Sequence, residues 1–561
     1  MKNKIIKLLA LLLTMIMLSS SIGCTIIPTT PPAGSDGSST QPGVTDPNVT
    51  EPGGENPPVG AEPMVDPIDD NYRTFYQIFV GSFSDSNNDG IGDLQGIINR
   101  MDYLNDGDIN SGNDLGVQGL WLSPIFSSPS YHKYEATDYY QIDWRYGTED
   151  TLKELIKICK ERNVKLILDL AINHTSDKNP WFLEFKEARL NGDTESVYYN
   201  FYSCAKTVNK ENGKTYQKIA GIDLWYECNF PGFPELNYDN PDVREAMLDV
   251  AKYYLNLGVD GFRFDAVKYI YFGNTQKSVA FWEWYMKELR KDYPDMYAVG
   301  ECWSGDNEVI QYYGAMNCFN FTMAGGEGKV ASAAKGQGIS GYLNYVTSYL
   351  SKIKSKNPNA MMQAFLSNHD QDRIAGTFVT ENNMKMAANL YLLCSGSPTI
   401  YYGEEIGIRG SRASEATDAN RRLKMRWGDG DFVKDPVGAC YPEKNQIKTT
   451  VASQLDDPNS LLNHYSKVLS IRHKYAEIAR GDYKALTSTN KHLGGFLVTY
   501  QGSKLGILHN TSNSPITIDI SKLTGLDGYS FKELCDFVGA GNATLNGNIL
   551  TIGAYTSVIL K

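Results

Sequence analysis

The stretch GFRFDAVKYI, Gly261 to Ile270, breaks an apolar run with an arginine, an aspartate and a lysine. Parallel strands covered on both faces are near-continuously apolar. Phe262, Phe264, Ala266 and Val267 obey that rule, and Arg263, Asp265 and Lys268 do not. Either the strand end lets its charges reach water, or it carries a reactive carboxylate at the mouth of a barrel, kept ionised by cations. Similar groups close other apolar runs: Asp169, Asn173 and His174; Glu301; Asn368, His369 and Asp370. Any one could be a satisfied buried polar group, but their gathering at strand ends reads as an active site. Three carboxylates without metal-ligand spacing suit hydrolysis of a glycosidic bond, which needs a carboxylate and a carboxylic acid flanking the scissile bond. Arg263 would keep Asp265 an anion, as a nucleophile must be. Glu301, followed by the weakly polar Cys302 and Trp303, would be pushed toward the protonated form of a general acid.

The elements that must position these groups alternate from about Phe75 onward. Strand-like runs are FYQIFV, VQGLWLSPI, VKLILDLAI, VDGFRFDAV, YAVGEC, CFNFT, MQAFLSNHD and PTIYYGEE, eight in all. Helical patterns such as TLKELIKICKERN and PDVREAMLDVAKYYLNLG separate them, the latter with Asp242 in its first turn and Gly258 just past its end. Eight strand–helix alternations predict an α/β fold, a (β/α)₈ TIM barrel, over residues 67–480. The aromatic, turn-rich stretch of about residues 175–235 is too long for a connection, so a small domain is expected to be inserted there after the third strand. Short alternating runs such as GGFLVTY, LGILHN, ITIDI and TSVILK predict a C-terminal all-β domain, an antiparallel sandwich, over residues 481–561.

From about Phe75 to the C-terminus the chain resembles the α-amylase family of glycoside hydrolases. DLAINH, GFRFDAVKY, GECW and FLSNHD resemble its four best-known motifs in order, FPELN resembles a fifth, and YHKYEATDYY the segment after strand two. The resemblance implies Asp265 as nucleophile, Glu301 as acid/base and Asp370 as a third carboxylate holding sugar hydroxyls. It implies that His174 and His369 bond the sugar at the cleavage point and that Arg263 orients the nucleophile. Tyr134 with His132 would form a stacking floor, and Lys268 with Tyr269 would face the leaving side. Tyr269 departs from α-amylases, which commonly have His there. DAVKY and FPELNY look more like endo-acting α-amylases than oligo-1,6-glucosidases, so endo attack on α-1,4-glucans is expected. A neopullulanase- or oligo-1,6-glucosidase-like enzyme is the alternative, and a non-catalytic glucan-binding lipoprotein the reading from another class.

DSNNDGIGD, Asp85 to Asp93, repeats oxygen ligands at alternate positions around a glycine. Asp85, Asn87, Asp89 and Asp93, with the Ile91 carbonyl, resemble a calcium loop, although Gly96 stands where an EF-hand has its glutamate. An Asx-rich turn is the competing reading, and the family often has calcium in this first loop. Asn173 could belong to the family's other calcium site, between barrel and insertion.

The Lys-rich, then apolar, then small N-terminus reads as a signal segment over residues 1–23, with SIGC resembling a lipobox that would place lipid on Cys24. Ser21 stands where leucine is commonest in that pattern, and simple secretion is the alternative. Residues 24–66, rich in Pro, Gly, Ser and Thr, are expected to be a tether without a core. A monomeric cell-surface lipoprotein follows, touching the membrane only through that anchor. Cleavage before Cys24 would remove three lysines and take the net charge from −12 to −15. With no Lys/Arg-rich run, nucleic acid is excluded as a partner. The 36 tyrosines and 8 tryptophans suit flat, hydroxyl-rich ligands that stack on rings, and the resemblance implies that these are α-glucans. Nine cysteines show no zinc spacing, while Cys204 and Cys228 lie close enough in sequence that a disulfide is open.

Overall fold

Seven short parallel strands form one sheet in a computed structural model of the chain, which describes residues 70–108, 111–207, 213–412, 417–428 and 430–561. They are β1 Phe75–Ile78, β2 Gly119–Leu122, β3 Lys165–Leu170, β4 Gly261–Phe264, β5 Tyr297–Gly300, β6 Asn317–Cys318 and β7 Thr399–Tyr401, side by side in the order β6-β5-β4-β3-β2-β1-β7. The expected strand MQAFLSNHD is not a continuous one. Instead Gln363 bridges Phe319, and Phe365 bridges Thr399, and these two isolated parallel bridges close the sheet into a barrel. The signal segment and tether expected over residues 1–66 lie outside the described residues. Among the described residues no helix is long and apolar enough to cross a membrane.

The two-residue period of a strand sends alternate side chains inward. Phe75, Trp121, Ile167, Tyr297, Val299, Phe319 and Phe365 fill the barrel as one buried cluster. Gly119 makes room for it, because a Cβ there would lie 2.5 Å from the Phe75 ring. One layer higher, register pairs Asp169 with Arg263 and Arg263 with Val299. The same alternation turns Asp265 and Glu301 inward at the barrel mouth. Their N–H groups extend the ladder, donating to Leu170 O (3.2 Å) and Phe264 O (2.9 Å). Gly261 is required at φ 147°: a Cβ there would sit 1.9 Å from Tyr297 O and force β4 away from β5.

The helices form as their caps and spacing dictate. Helix Glu149–Glu161 opens on a capping box between Thr148 and Thr151 and buries Leu152, Leu155, Ile156 and Cys159 against the sheet. Helix Pro241–Leu257 starts on Asn240 with Pro241 at its first position and stops at Gly258, whose φ of 109° reverses the chain. Between β3 and β4 the expected insertion contains helix Pro180–Asn191 and a three-stranded sheet of Cys204–Ala205, Tyr216–Lys218 and Trp225–Glu227. The disulfide left open there does not form. Cys204 and Cys228 are free thiols, Cys204 pairing with Tyr226 in the ladder and Cys228 Sγ donating to Phe230 O at 3.0 Å.

After helices Leu461–Lys474 and Ala476–Arg480 the chain turns to strands. A five-stranded antiparallel sheet faces a three-stranded one, sharing a core that includes Leu486, Leu508, Leu550, Ile552 and Val558. Back in the barrel, two adjacent buried glutamates pin the turn after β7 to its surroundings. Glu404 accepts from the Tyr391 (2.7 Å) and Tyr465 (2.9 Å) hydroxyls, and Glu405 from those of Tyr76 and Tyr103 (both 2.6 Å).

Candidate active site

Every residue expected at the reactive centre meets at the mouth of the barrel. Arg263, fully buried, donates from Nη1 to Asp265 Oδ1 at 2.7 Å and to Asp169 Oδ1 at 2.8 Å, and its Nη2 lies 3.8 Å from Glu301 Oε2. One guanidinium therefore gathers three carboxyl groups. Its plane stacks near Trp121 and Tyr134, which fixes its orientation. Directly after Asp265 the chain takes a left-handed turn at Ala266, φ 48°, which aims the Ala266 N–H at Glu301 Oε2, 2.9 Å away. Such a conformation costs a non-glycine residue about 1 kcal/mol. Here it ties the two carboxyl groups through backbone.

Burial, aided by the charges of Asp265 and Asp370 and opposed by Arg263, raises Glu301 to about 7. Asp370 goes the other way. Burial alone would raise it, but His369 first, then Arg422 and Arg263, outweigh burial and hold it well below the ordinary carboxylate range. His369 Nε2 lies 3.0 Å from Asp370 Oδ2 and 2.6 Å from Tyr134 OH. The Tyr134 ring stacks on the His369 ring at 5.3 Å and its hydroxyl donates to Asp169 Oδ2 at 2.8 Å. His174, buried, bonds through Nε2 to Tyr134 O at 3.0 Å, and burial lowers its pKa, leaving a neutral ring. His132 lies against Phe233 from the insertion, and burial lowers it to about 3. Lys268 Nζ donates to Trp303 O at 2.7 Å and Tyr269 stacks on Phe272 at 4.8 Å, so both border the Glu301 side.

Sequence reasoning missed several participants. Trp121 Nε1 donates to Asp169 at 3.2 Å, Gln77 Nε2 contacts His369 Nδ1 at 2.8 Å, and Arg422 reaches Asp370. Trp121 and Gln77 carry a readable signal, as inward positions of barrel strands. Arg422 carries none, since it lies in an irregular stretch after the last strand.

The metal candidates lie in two other places. In the Asp85–Asp93 loop, Asp85 accepts from the N–H groups of Asn87, Asn88 and Gly90. Asn87 and Asp89 accept from Asp89 and Ile91, with Gly90 at φ 95°. Asp93 caps helix Leu94–Asn99. These bonds make the loop a run of Asx turns, and among the described residues no group of three or more His, Cys, Asp or Glu side chains converges to hold a metal ion. At the insertion, Asn173 Nδ2 lies 3.4 Å from Glu235 Oε2, and Asn173 Oδ1 is buried without a partner. Lys214 Nζ already neutralises the neighbouring Glu227 at 2.7 Å.

The family sequence model described as "Alpha amylase, catalytic domain" matches residues 77–481. The chain belongs to the α-amylase family of glycoside hydrolases. It is 33% identical over 492 residues to "Alpha-amylase 3" of Dictyoglomus thermophilum, covering 87% of this chain and 92% of that one. It is 26% identical over 518 residues to "Oligo-1,6-glucosidase" of Parageobacillus thermoglucosidasius, covering 78% and 89%. The solved structure of Eubacterium rectale Amy13B superposes with a TM-score of 0.80 at 33% identity, covering 89% of this chain and 96% of that one. As a member of this family the chain is a glycoside hydrolase acting on α-glucans.

Proposed function

We propose that the enzyme is an endo-acting α-amylase, cleaving α-1,4 bonds in starch, amylose and maltooligosaccharides with retention of configuration. The observation that carries the mechanism is the single buried Arg263 holding Asp265 beside a Glu301 whose pKa is raised. Asp265 attacks the anomeric carbon while Glu301 gives its proton to the leaving oxygen, and a glycosyl ester forms on Asp265. Glu301, now a carboxylate, takes a proton from water, which attacks the same carbon and releases an α product. Asp370, held as an anion, accepts from the sugar hydroxyls, with His369 and His174 beside it. Tyr134 and His132 form the floor, and Lys268 and Tyr269 line the leaving side. Endo attack is supported by the α-amylase among the relatives and by the DAVKY and FPELNY motifs. The relative named for oligo-1,6-glucosidase activity supports the second reading, cleavage of short α-glucans. A timed digest of amylose separates the two. Mixed long products at first, shortening later, bear out endo attack; one small product from the first minute contradicts it.

Calcium is proposed for the Asp85–Asp93 loop, with Asn173 and Glu235 as the fitting pair for a second ion. There it would supply structural cross-linking, and no catalytic step needs it. Export and lipidation at Cys24 are proposed from the SIGC segment. Labelled fatty acid should enter the protein and be lost in Cys24→Ala; its absence from the wild-type protein leaves simple secretion.

A further inference from the structure

Asp370 is one-third exposed at the barrel mouth, yet both its carboxylate oxygens are committed. His369 Nε2 engages Oδ2 at 3.0 Å, and Arg422 Nη2 donates to Oδ1 at 2.9 Å. Arg422 is almost fully buried and uses its other donors equally narrowly: Nε to His369 O at 3.0 Å and Nη1 to the Tyr131 hydroxyl at 3.1 Å. Its guanidinium packs against the Phe79 and Tyr131 rings, at 5.5 and 5.7 Å. The neighbouring Arg421 Nη1 donates to the Asp370 carbonyl at 2.7 Å, so one dipeptide grips both backbone and side chain of the third carboxylate.

We propose that Arg422 is a positioning residue for this reaction, fixing the rotamer of Asp370 and its spacing from the Tyr131–Tyr134 segment. A planar fork with donors in fixed directions can join a carboxylate, a carbonyl and a phenol at once; an ammonium cannot. The three segments it joins come from the loop after β2, the end of the bridging stretch before β7, and the stretch after β7. No ladder hydrogen bond links them there. Without Arg422 the Asp370 carboxylate would keep only His369 and could turn away from the sugar hydroxyls. The sugar would still bind through His174, His369 and Tyr134, so the loss belongs to the transition state more than to affinity. The inference rests on the reading of Asp370 as the substrate-holding carboxylate.

The test is a double-mutant cycle with α-maltotriosyl fluoride, an activated substrate that keeps weak variants measurable. Arg422→Met is expected to lower kcat about 100-fold, the scale of breaking a buried charge pair, with KM changed by less than about 5-fold. Arg422→Lys should recover only a small part. In an Asp370→Asn background the Arg422→Met change should cost less than about 3-fold, because the group it positions has lost its charge. Arg422→Met within about 3-fold of wild type, or equal losses in both backgrounds, overturns the proposal. If Arg422→Met does not melt cooperatively, Tyr131→Phe decides, since it removes one tie only. A kcat loss in wild type that vanishes in Asp370→Asn supports the positioning role, and equal or no loss overturns it. Near-normal turnover by Asp370→Asn alone would instead remove the reading of Asp370 itself.

Discussion

At the residue scale, the site works by giving chemically similar carboxyl groups opposite fates. Glu301 and Asp370 sit in the same cleft, but the cation beside Glu301 is a distant edge of Arg263, while Asp370 has His369 and Arg422 in direct contact. The first therefore holds a proton near neutrality and the second does not. A group that must be protonated and titrates at about 7 sets the alkaline limb of the rate profile. Activity is expected to fall as pH rises through about 7. Glu301→Gln should remove that limb while losing about 10³-fold on substrates with poor leaving groups and far less on a glycosyl fluoride, whose departure needs no proton. An unchanged alkaline limb in Glu301→Gln would assign it to another group.

At the element scale, barrel strands deliver inward residues in layers, and the period of two makes the placement legible in sequence. Positions 261, 263 and 265 share the inner face of β4, and 297, 299 and 301 that of β5, so two of the three carboxylates were readable. So were the insertion and the all-β end. The bridging stretch at 361–366 looked like a full strand because its apolar pattern is that of one. How much ladder forms is decided by the partners at Phe319 on one side and Thr399 on the other, and neither is visible in the stretch itself. Arg422 was illegible because RRLKMR has no period and its charges read as a solvated loop. The calcium proposed for the Asp85–Asp93 loop belongs to this scale as well. An ion bound only by the folded state stabilises it. Chelation should lower the melting temperature of wild type, and Asp89→Ala should melt at one temperature with or without chelator. Identical wild-type curves, with no calcium found by elemental analysis, would leave an Asx-turn.

At the scale of the whole molecule, function and stability draw on different buried carboxyls. Glu404, beneath Tyr391 and Tyr465, is raised to about 8 by burial. A carboxyl raised on folding binds its proton more tightly in the native state. Its stabilisation is therefore complete below the unfolded value of about 4.5 and is lost as pH rises through the folded one. The melting temperature should fall between about pH 7.5 and 9, a window above the ordinary histidine value, where histidines are largely neutral in both states. Glu404→Gln should flatten part of that fall. A flat wild-type profile across the window would show that Glu404 does not stay protonated in the folded chain.

The most direct test of the central assignment follows the same amylose digest by proton NMR in its first minutes, before free sugars mutarotate. A double displacement through Asp265 predicts that new reducing ends appear as the α anomer and equilibrate toward β later, and that Asp265→Asn releases none. New ends appearing first as β would contradict a covalent intermediate on Asp265 and with it the roles given to Arg263 and Glu301.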